Sequence, residues 1–380
     1  MRGDFPATVS LTRRLPTDSC SLPIASMTTS RVVFLGDVML GSDVSRKLAH
    51  RSAEWFWGDV LPVLRDSDAV VANLECPLTT SKRRWHRTLK WHHFRADPAT
   101  VEILKRGNVR FVCLANNHML DFEETGLADT LHHLDAAAIL HAGAGMNSAE
   151  SAAPALLELP GARVGFFAAT DGMPEFSASA RQPGTNVMTF EAVDESIGRV
   201  ETAIQTLRNA GADLIVLSFH WGPNFKLVPS GKFQAFAHAA IDAGADIVHG
   251  HSAHVFQAIE RYRHGLILYD TGNFIDDYWK FPFRRTFWSF AFVLEIDCRR
   301  LDRLRLLPVR THPMPPAKAT GETFEKICRR MRSLCQSFGT TILETEEGLM
   351  VPLGAGIEVR APTACTYGAT DNSKSEAGTR

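Results

Sequence analysis

The side chains in this sequence best suited to bind a divalent cation stand at the ends of apolar runs. Asp37 follows Arg31–Gly36, Asn73 and Glu75 end Ala69–Leu74, and Asn117 and His118 follow Val109–Leu114. His220 ends Leu214–Phe219, while His251 and His254 follow Asp246–His249. Short apolar runs of this kind read as buried strands, and the carboxyl ends of strands in an α/β sheet open into a common crevice. Oxygen and nitrogen donors of these types suit Mn, Mg, Zn or Fe. A mixed shell of carboxylate, amide and imidazole is what a pair of divalent ions requires, one shared carboxylate offsetting the repulsion between the cations. Each residue alone is ordinary, because Asp after Gly commonly serves a turn and a single strand-end His is more often structural. Their convergence from separate strand ends carries the reading.

The elements that must position these groups follow from hydrophobic pattern. Pro98–Arg106 reads as a helix with Pro in its first turn. Thr125–Ala137 carries Leu127, Leu131 and Leu134 at helical spacing. Asp194–Asn209, with Asp194 as N-cap, Lys232–Ala243 and Thr323–Ser337 read as further helices. Pro154–Leu159 and Arg163–Ala169 are expected to form a hairpin through Pro160-Gly161. Val255–Glu260, Leu266–Asp270, Ser289–Ile296 and Arg303–Pro308 read as closing strands. Alternating strands and helices followed by antiparallel strands predict an α/β fold, a four-layer α/β/β/α sandwich. The expected organisation is a disordered leader over 1–28, a catalytic domain over 29–345 and a C-terminal extension over 346–380, largely disordered after about 362.

Composition excludes some function classes. The 380 residues are 45% hydrophobic and 22% charged, as in a protein with a proper core. A formal net charge of -1 provides no global field for nucleic acid or an anionic membrane, so neither is an expected partner. The 7 cysteines contain no CxxC pair, which argues against a disulfide framework and fits a reducing compartment. No run approaches the ~20 apolar residues needed to span a bilayer. A cytoplasmic location is expected.

The segments GDVMLG (36–41), NLECPLT (73–79), ANNHMLD (115–121), HWGPN (220–224), HGHSAHVFQ (249–257) and DTGNF (270–274) resemble the CapA family, the poly-γ-glutamate capsule biosynthesis branch of the calcineurin-like metallophosphatase superfamily. The likeness runs from about residue 31 to 275 with the motifs in family order. It implies that Asp37 binds a first metal, that Glu75 is the bridging carboxylate with Asn73 nearby, and that Asn117 binds a second metal. His118 would be the acid/base imidazole, and His220, His251 and His254 would complete the two coordination shells. His249 and His251 form an alternative pair, although the family pattern favours His251 and His254. Three residues depart from the superfamily pattern. Met39 stands where phosphatases of this type carry a second ligand, and a thioether is a poor ligand for hard cations. Glu75 is a methylene longer than the usual Asp, and Glu123 replaces a glycine. The first two differences point away from simple phosphate-ester hydrolysis.

The segment Lys82–Arg95 interleaves Lys, Arg, Trp, His and Phe. It reads either as a solvated loop or as a lid that grips an anion and stacks on an aromatic group. On the second reading Lys90 and Arg95 contact substrate, together with Trp221 and Asn224 of HWGPN. Cys76 reads as a small core residue or as a minor acid/base thiol. Asp121 is placed to orient His118, and Asp276 and Asp277 read as caps. The expected chemistry is metal-dependent acid/base catalysis on a peptide or small anionic substrate. The favoured reaction is epimerisation at a Cα, because soluble members of the resembled family include a lasso-peptide epimerase. Hydrolysis of phosphate esters or γ-glutamyl amides is the alternative, and non-catalytic polymer binding the third reading.

Overall fold

The sequence Ser30–Val38 alternates its apolar side chains between two cores, the period of a strand with both faces covered. Val32 and Phe34 face one core, while Val33 and Leu35 face the other. The computed structural model describes residues 29–276, 285–297 and 300–354. The expected leader, the tail after about 362 and Asp277 lie outside the described residues.

Ser30–Val38, Ala69–Leu74, Val109–Cys113 and Leu140–Ala142 pair in parallel as one half of the first sheet. Trp288–Asp297, Arg300–Arg310 and Gly348–Pro352 extend it antiparallel on the other side of Ser30–Val38. The second sheet runs Ile259–Tyr262, Gly265–Leu268, Ile247–His251, Leu214–His220, Arg163–Thr170, Ala155–Glu158. Its four inner strands are parallel and both edges are antiparallel. The sheets face one another, with Phe111 of the first stacked on Phe166 of the second at 4.0 Å between ring centroids. Ile103, Leu104, Leu127 and Leu131 cover the outer face of the first sheet. Val200, Ile204 and Leu207 of helix Val193–Asn209, with Phe236 and Ile241 of helix Gly231–Asp242, join the core around the second. This is the α/β/β/α arrangement.

Several local expectations are corrected. Asp194 lies in the first turn of its helix, and the N-cap position is Ala192 without a side-chain cap. Asp194 therefore acts on the positive helix end by charge rather than by capping. The closing strands divide between the sheets, and the one read as Val255–Glu260 is confined to Ile259–Tyr262. Gly348–Pro352, beyond the expected domain end at 345, is a strand with Leu349 and Val351 buried. The Lys82–Arg95 segment forms neither helix nor strand, yet Trp85 and Phe94 sink into the core and anchor it. No helix among the described residues is long and apolar enough to cross a membrane.

Two glycines let backbones cross beside the candidate ligands. A Cβ at Gly36 would stand 1.7 Å from the Gly272 carbonyl oxygen, and one at Gly250 would stand 2.0 Å from that of Tyr269. Each immediately precedes a site residue, Asp37 or His251, so close backbone approach is part of how the site is built.

Candidate functional site

The carboxyl ends of both sheets meet at one place. Asp37 lies in register with Asn73 on one side and Asn273 on the other, and His251 lies in register with His220. Two groups of ligand atoms result, each with its atoms within 4.8 Å of one another: Asp37, His220 and His251, and Asp37, Glu75 and His254. Asp37, rather than Glu75, is common to both groups. Glu75 nevertheless reaches toward the first, with Oε1 3.9 Å from His220 Nε2. Asn73 Nδ2 donates to Asp37 Oδ1 at 2.8 Å, and Asn117 Oδ1 is 3.1 Å from His220 Nε2. His254 Nδ1 stands 3.1 Å from Asp37 Oδ2, and His220 Nδ1 and His251 Nδ1 are 3.0 Å apart.

Burial sets the electrostatics. It would raise the Asp37 carboxyl, but the His254 hydrogen bond and the His254, His220 and His251 charges outweigh it and hold the group below the usual carboxylate range. Burial and then the Asp37 charge push Glu75 well above that range. Burial lowers His220 to about 3 and also lowers His251, with His220 and His249 adding to the second shift. Burial would lower His254 as well, but Glu75 and Asp37 lift it to about 10.

Glu75 is 1% exposed, and neither of its carboxylate oxygens meets a hydrogen-bond donor among the described residues. A buried carboxylate without donors is costly, and a cation removes that cost. The neighbouring oxygens and imidazole nitrogens suit a borderline or hard divalent ion, so the residues fit. Binding would displace the proton that the surrounding carboxylates hold on His254.

His118 stands beside these groups, close enough for its charge to act on His220. Its Nδ1 is 2.7 Å from Asp121 Oδ2, and Asp121 also accepts from Phe94 N at 2.6 Å. Lys90 Nζ lies 3.2 Å from Asp121 Oδ1 and donates to the Asn117 carbonyl at 2.6 Å. Asp121 thus fixes the ring through Nδ1, and Nε2 is the ring nitrogen it does not engage. Lys90, expected to grip substrate, is instead a buried tie between the basic segment and the Asn117–His118 loop.

Three other expected residues sit elsewhere. Trp221 is a core residue: its Nε1 donates to the Tyr269 carbonyl at 2.9 Å, and its ring packs on Phe190, Phe219 and Phe233. Cys76 Sγ accepts from Leu40 N at 3.4 Å, and burial pushes the thiol to about 12, so it packs rather than transfers protons. Arg95 donates to the Thr80 carbonyl at 3.3 Å and lies over Phe122, and it belongs to neither ligand group. Asn224 is exposed, beside a Phe225 whose ring is 6.0 Å from His254. His249 joins neither group, its Nε2 standing 3.0 Å from the Leu35 carbonyl oxygen. Met39 Sδ accepts from Gly41 N at 3.1 Å and so turns to its own backbone. Glu123 has φ 58, the left-handed conformation that favours the glycine it replaces. Its carboxylate holds Arg87 at 2.9 Å.

Sequence reasoning gave no role to several supporting residues. Asn116 Nδ2 donates to Asn73 Oδ1 at 3.1 Å, and Asn116 Oδ1 accepts from His118 N at 3.1 Å. Asn273 Oδ1 stands 2.9 Å from His254 Nδ1, and Ser218 Oγ 3.0 Å from His251 Nε2. Asp270 accepts from Ala253 N and Gly272 N, both at 2.7 Å. Gly272 in turn offers its carbonyl to Asp37 N at 2.8 Å. One carboxylate therefore ties together the loops bearing His254 and Asp37. The signal was the DTGNF segment, which holds both Asp270 and Asn273.

The family model for bacterial capsule synthesis protein PGA_cap matches residues 31–278. Capsule biosynthesis protein CapA of Bacillus anthracis is 32% identical over 248 residues, covering 65% of this chain, which spans 59% of that protein's length. A probable polyglutamine synthesis accessory protein of Mycobacterium tuberculosis is 31% identical over 362 residues, covering 84% of this chain and 94% of its own length. Among solved structures, a phosphatase from Mycoplasma pneumoniae aligns with TM-score 0.46 and 13% identity, over 75% of this chain and 95% of that one. A 5'-nucleotidase from Candida albicans aligns with TM-score 0.42 and 11% identity, over 86% of this chain and 61% of that one.

Proposed function

The chain belongs to the bacterial capsule synthesis protein family PGA_cap, and from that premise we propose that it is a metal-dependent acid/base enzyme acting on a peptide-type chain. Asp37, Asn73, Glu75, Asn117, His220, His251 and His254 would hold two divalent cations. The observation that carries this reading is the buried Glu75 carboxylate, which has no hydrogen-bond donor and stands in one ligand group with Asp37 and His254. Bound cations would polarise a substrate carbonyl and acidify the adjacent C–H.

His118, held through Nδ1 by Asp121, takes the Cα proton at Nε2 on one face, and a second group delivers a proton to the opposite face. Met39 keeps its sulfur on its own backbone, so this position supplies no imidazole ligand. Together these features favour removal and return of a Cα proton, that is, epimerisation. Amide hydrolysis of a glutamyl chain is the second reading, favoured by the polyglutamine synthesis description of a relative that aligns over most of this chain.

The test is incubation of manganese-loaded protein with peptide and oligo-glutamyl substrates in heavy water, read by mass spectrometry. Deuterium at a Cα without cleavage supports the first reading. New amine ends without deuterium support the second. Turnover of phosphate esters alone contradicts both.

A further inference from the structure

Apart from the metal centre, the basic segment and helix Ser42–Leu48 enclose an open cleft of about 740 Å³. Arg46, Lys82, Arg84 and Arg95 line it, with Thr80 and with a Thr79 whose hydroxyl donates to Asp129 Oδ2. The single acid in its wall is Asp97, whose Oδ1 is taken up capping a helix by accepting from Ala99 N at 2.9 Å. Lys82 and Arg84 are exposed and have no acidic partner among the described residues. Among the described residues Arg46 pairs only with Asp43 on its own helix, an exposed pair that neutralises little in water. Arg95 spends its donors on main-chain carbonyls, which leaves its charge uncompensated.

The walls are fixed. Thr79 N donates to the Ala96 carbonyl at 3.0 Å and Ala96 N to that of Pro77 at 2.9 Å, tying the two arms of the segment at its base. Trp85, next to Arg84, is 4% exposed and edge-on to Phe176. Such a cleft presents several cations on a fixed backbone, the complement of a row of carboxylates. It also lies close to the ligands along the chain. Ser42 follows Asp37, and Thr79 follows Glu75, by no more than about 18 Å of extended backbone.

We propose that this cleft docks a carboxylate-bearing stretch of the peptide-type substrate while a neighbouring unit enters the metal centre. The identity of the ligand as substrate rests on the function proposed above; the docking itself does not. Lys82 and Arg84 are the residues that read the charge, and Arg95 lines the same cleft.

The experiment is fluorescence anisotropy of a labelled oligo-glutamate peptide on the full chain, without turnover. Wild-type protein, the Lys82→Glu/Arg84→Glu and Lys82→Gln/Arg84→Gln double variants, and Lys232→Glu as a surface control are compared. The reversal variant is expected to bind at least about tenfold more weakly, the neutral variant to fall between, and the control to match wild type. Binding should also weaken with added salt. Unchanged binding in both double variants, equal binding of oligo-glutamine, or tighter binding of an oligonucleotide would overturn the proposal. Normal docking without Cα exchange or cleavage would instead count against the reaction alone.

Discussion

The strand Leu214–His220 has buried carboxylates at both ends, and they are treated in opposite ways. At its start Asp246 accepts from Ile215 N and from Arg208 Nη2, each at 2.7 Å. At its finish His220 faces Asp37 and Glu75, and Glu75 has no donor at all. The chain therefore can supply a backbone amide and a guanidinium to a buried acid where the role is structural. It withholds them at Glu75, where the sheets' carboxyl ends meet and the surrounding donors suit a divalent cation.

The sharpest way to break this contrast is to remove the structural acid. Asp246→Ala leaves the Ile215 amide and the Arg208 charge without their shared acceptor, and should cost about 3 kcal/mol in denaturant unfolding. Metal content per folded chain should be unchanged. A loss of metal in that variant would dissolve the distinction between the two ends.

A smaller effect is expected from Asp270→Asn. Asp270 bonds backbone amides as Asp246 does, but the loops it ties carry His254 and support Asp37. Replacing it should weaken metal binding by about 10- to 100-fold in a competition titration with a chelating dye. The midpoint of thermal unfolding of the metal-free protein should move little. A large loss of stability with normal metal affinity would make Asp270 a second Asp246.

The smallest effect is one of pH. In the metal-free protein His254 keeps its proton up to about 10, above its ordinary value, because Glu75 and Asp37 outweigh burial. A cation must expel that proton to use the imidazole. Metal affinity should therefore rise as pH rises from neutral toward about 10, by up to about tenfold per unit, with proton release in calorimetry. Affinity that falls over this range would show that His254 is not a ligand.

Much of this site was legible because strand ends are legible. Asp37, Asn117, His220 and His251 each follow an apolar run, and period and polarity alone mark such boundaries. The layered fold was legible for the same reason: Val32 and Phe34 face one way, Val33 and Leu35 the other. What burial decides was not legible. Trp221 and Lys90 look like binding residues in sequence, but the indole fills an aromatic core and the ammonium is consumed by Asp121 and the Asn117 carbonyl. The shared position of Asp37 was hidden as well, because it depends on the register that sets both Asn73 and Asn273 beside it. Asp270 and Asn273 flank a bend where Gly272 has φ 70, and no hydrophobic periodicity announces such a bend.

The most direct measurement is metal content by plasma mass spectrometry after manganese loading and desalting, for wild type and Glu75→Gln. We predict two equivalents per wild-type chain and a loss of at least one in Glu75→Gln. The chelated variant should be at least as stable as chelated wild type, since the amide removes a buried carboxylate that has no donor. Wild-type protein that retains no metal, or a Glu75→Gln variant that retains all of it, would contradict the account.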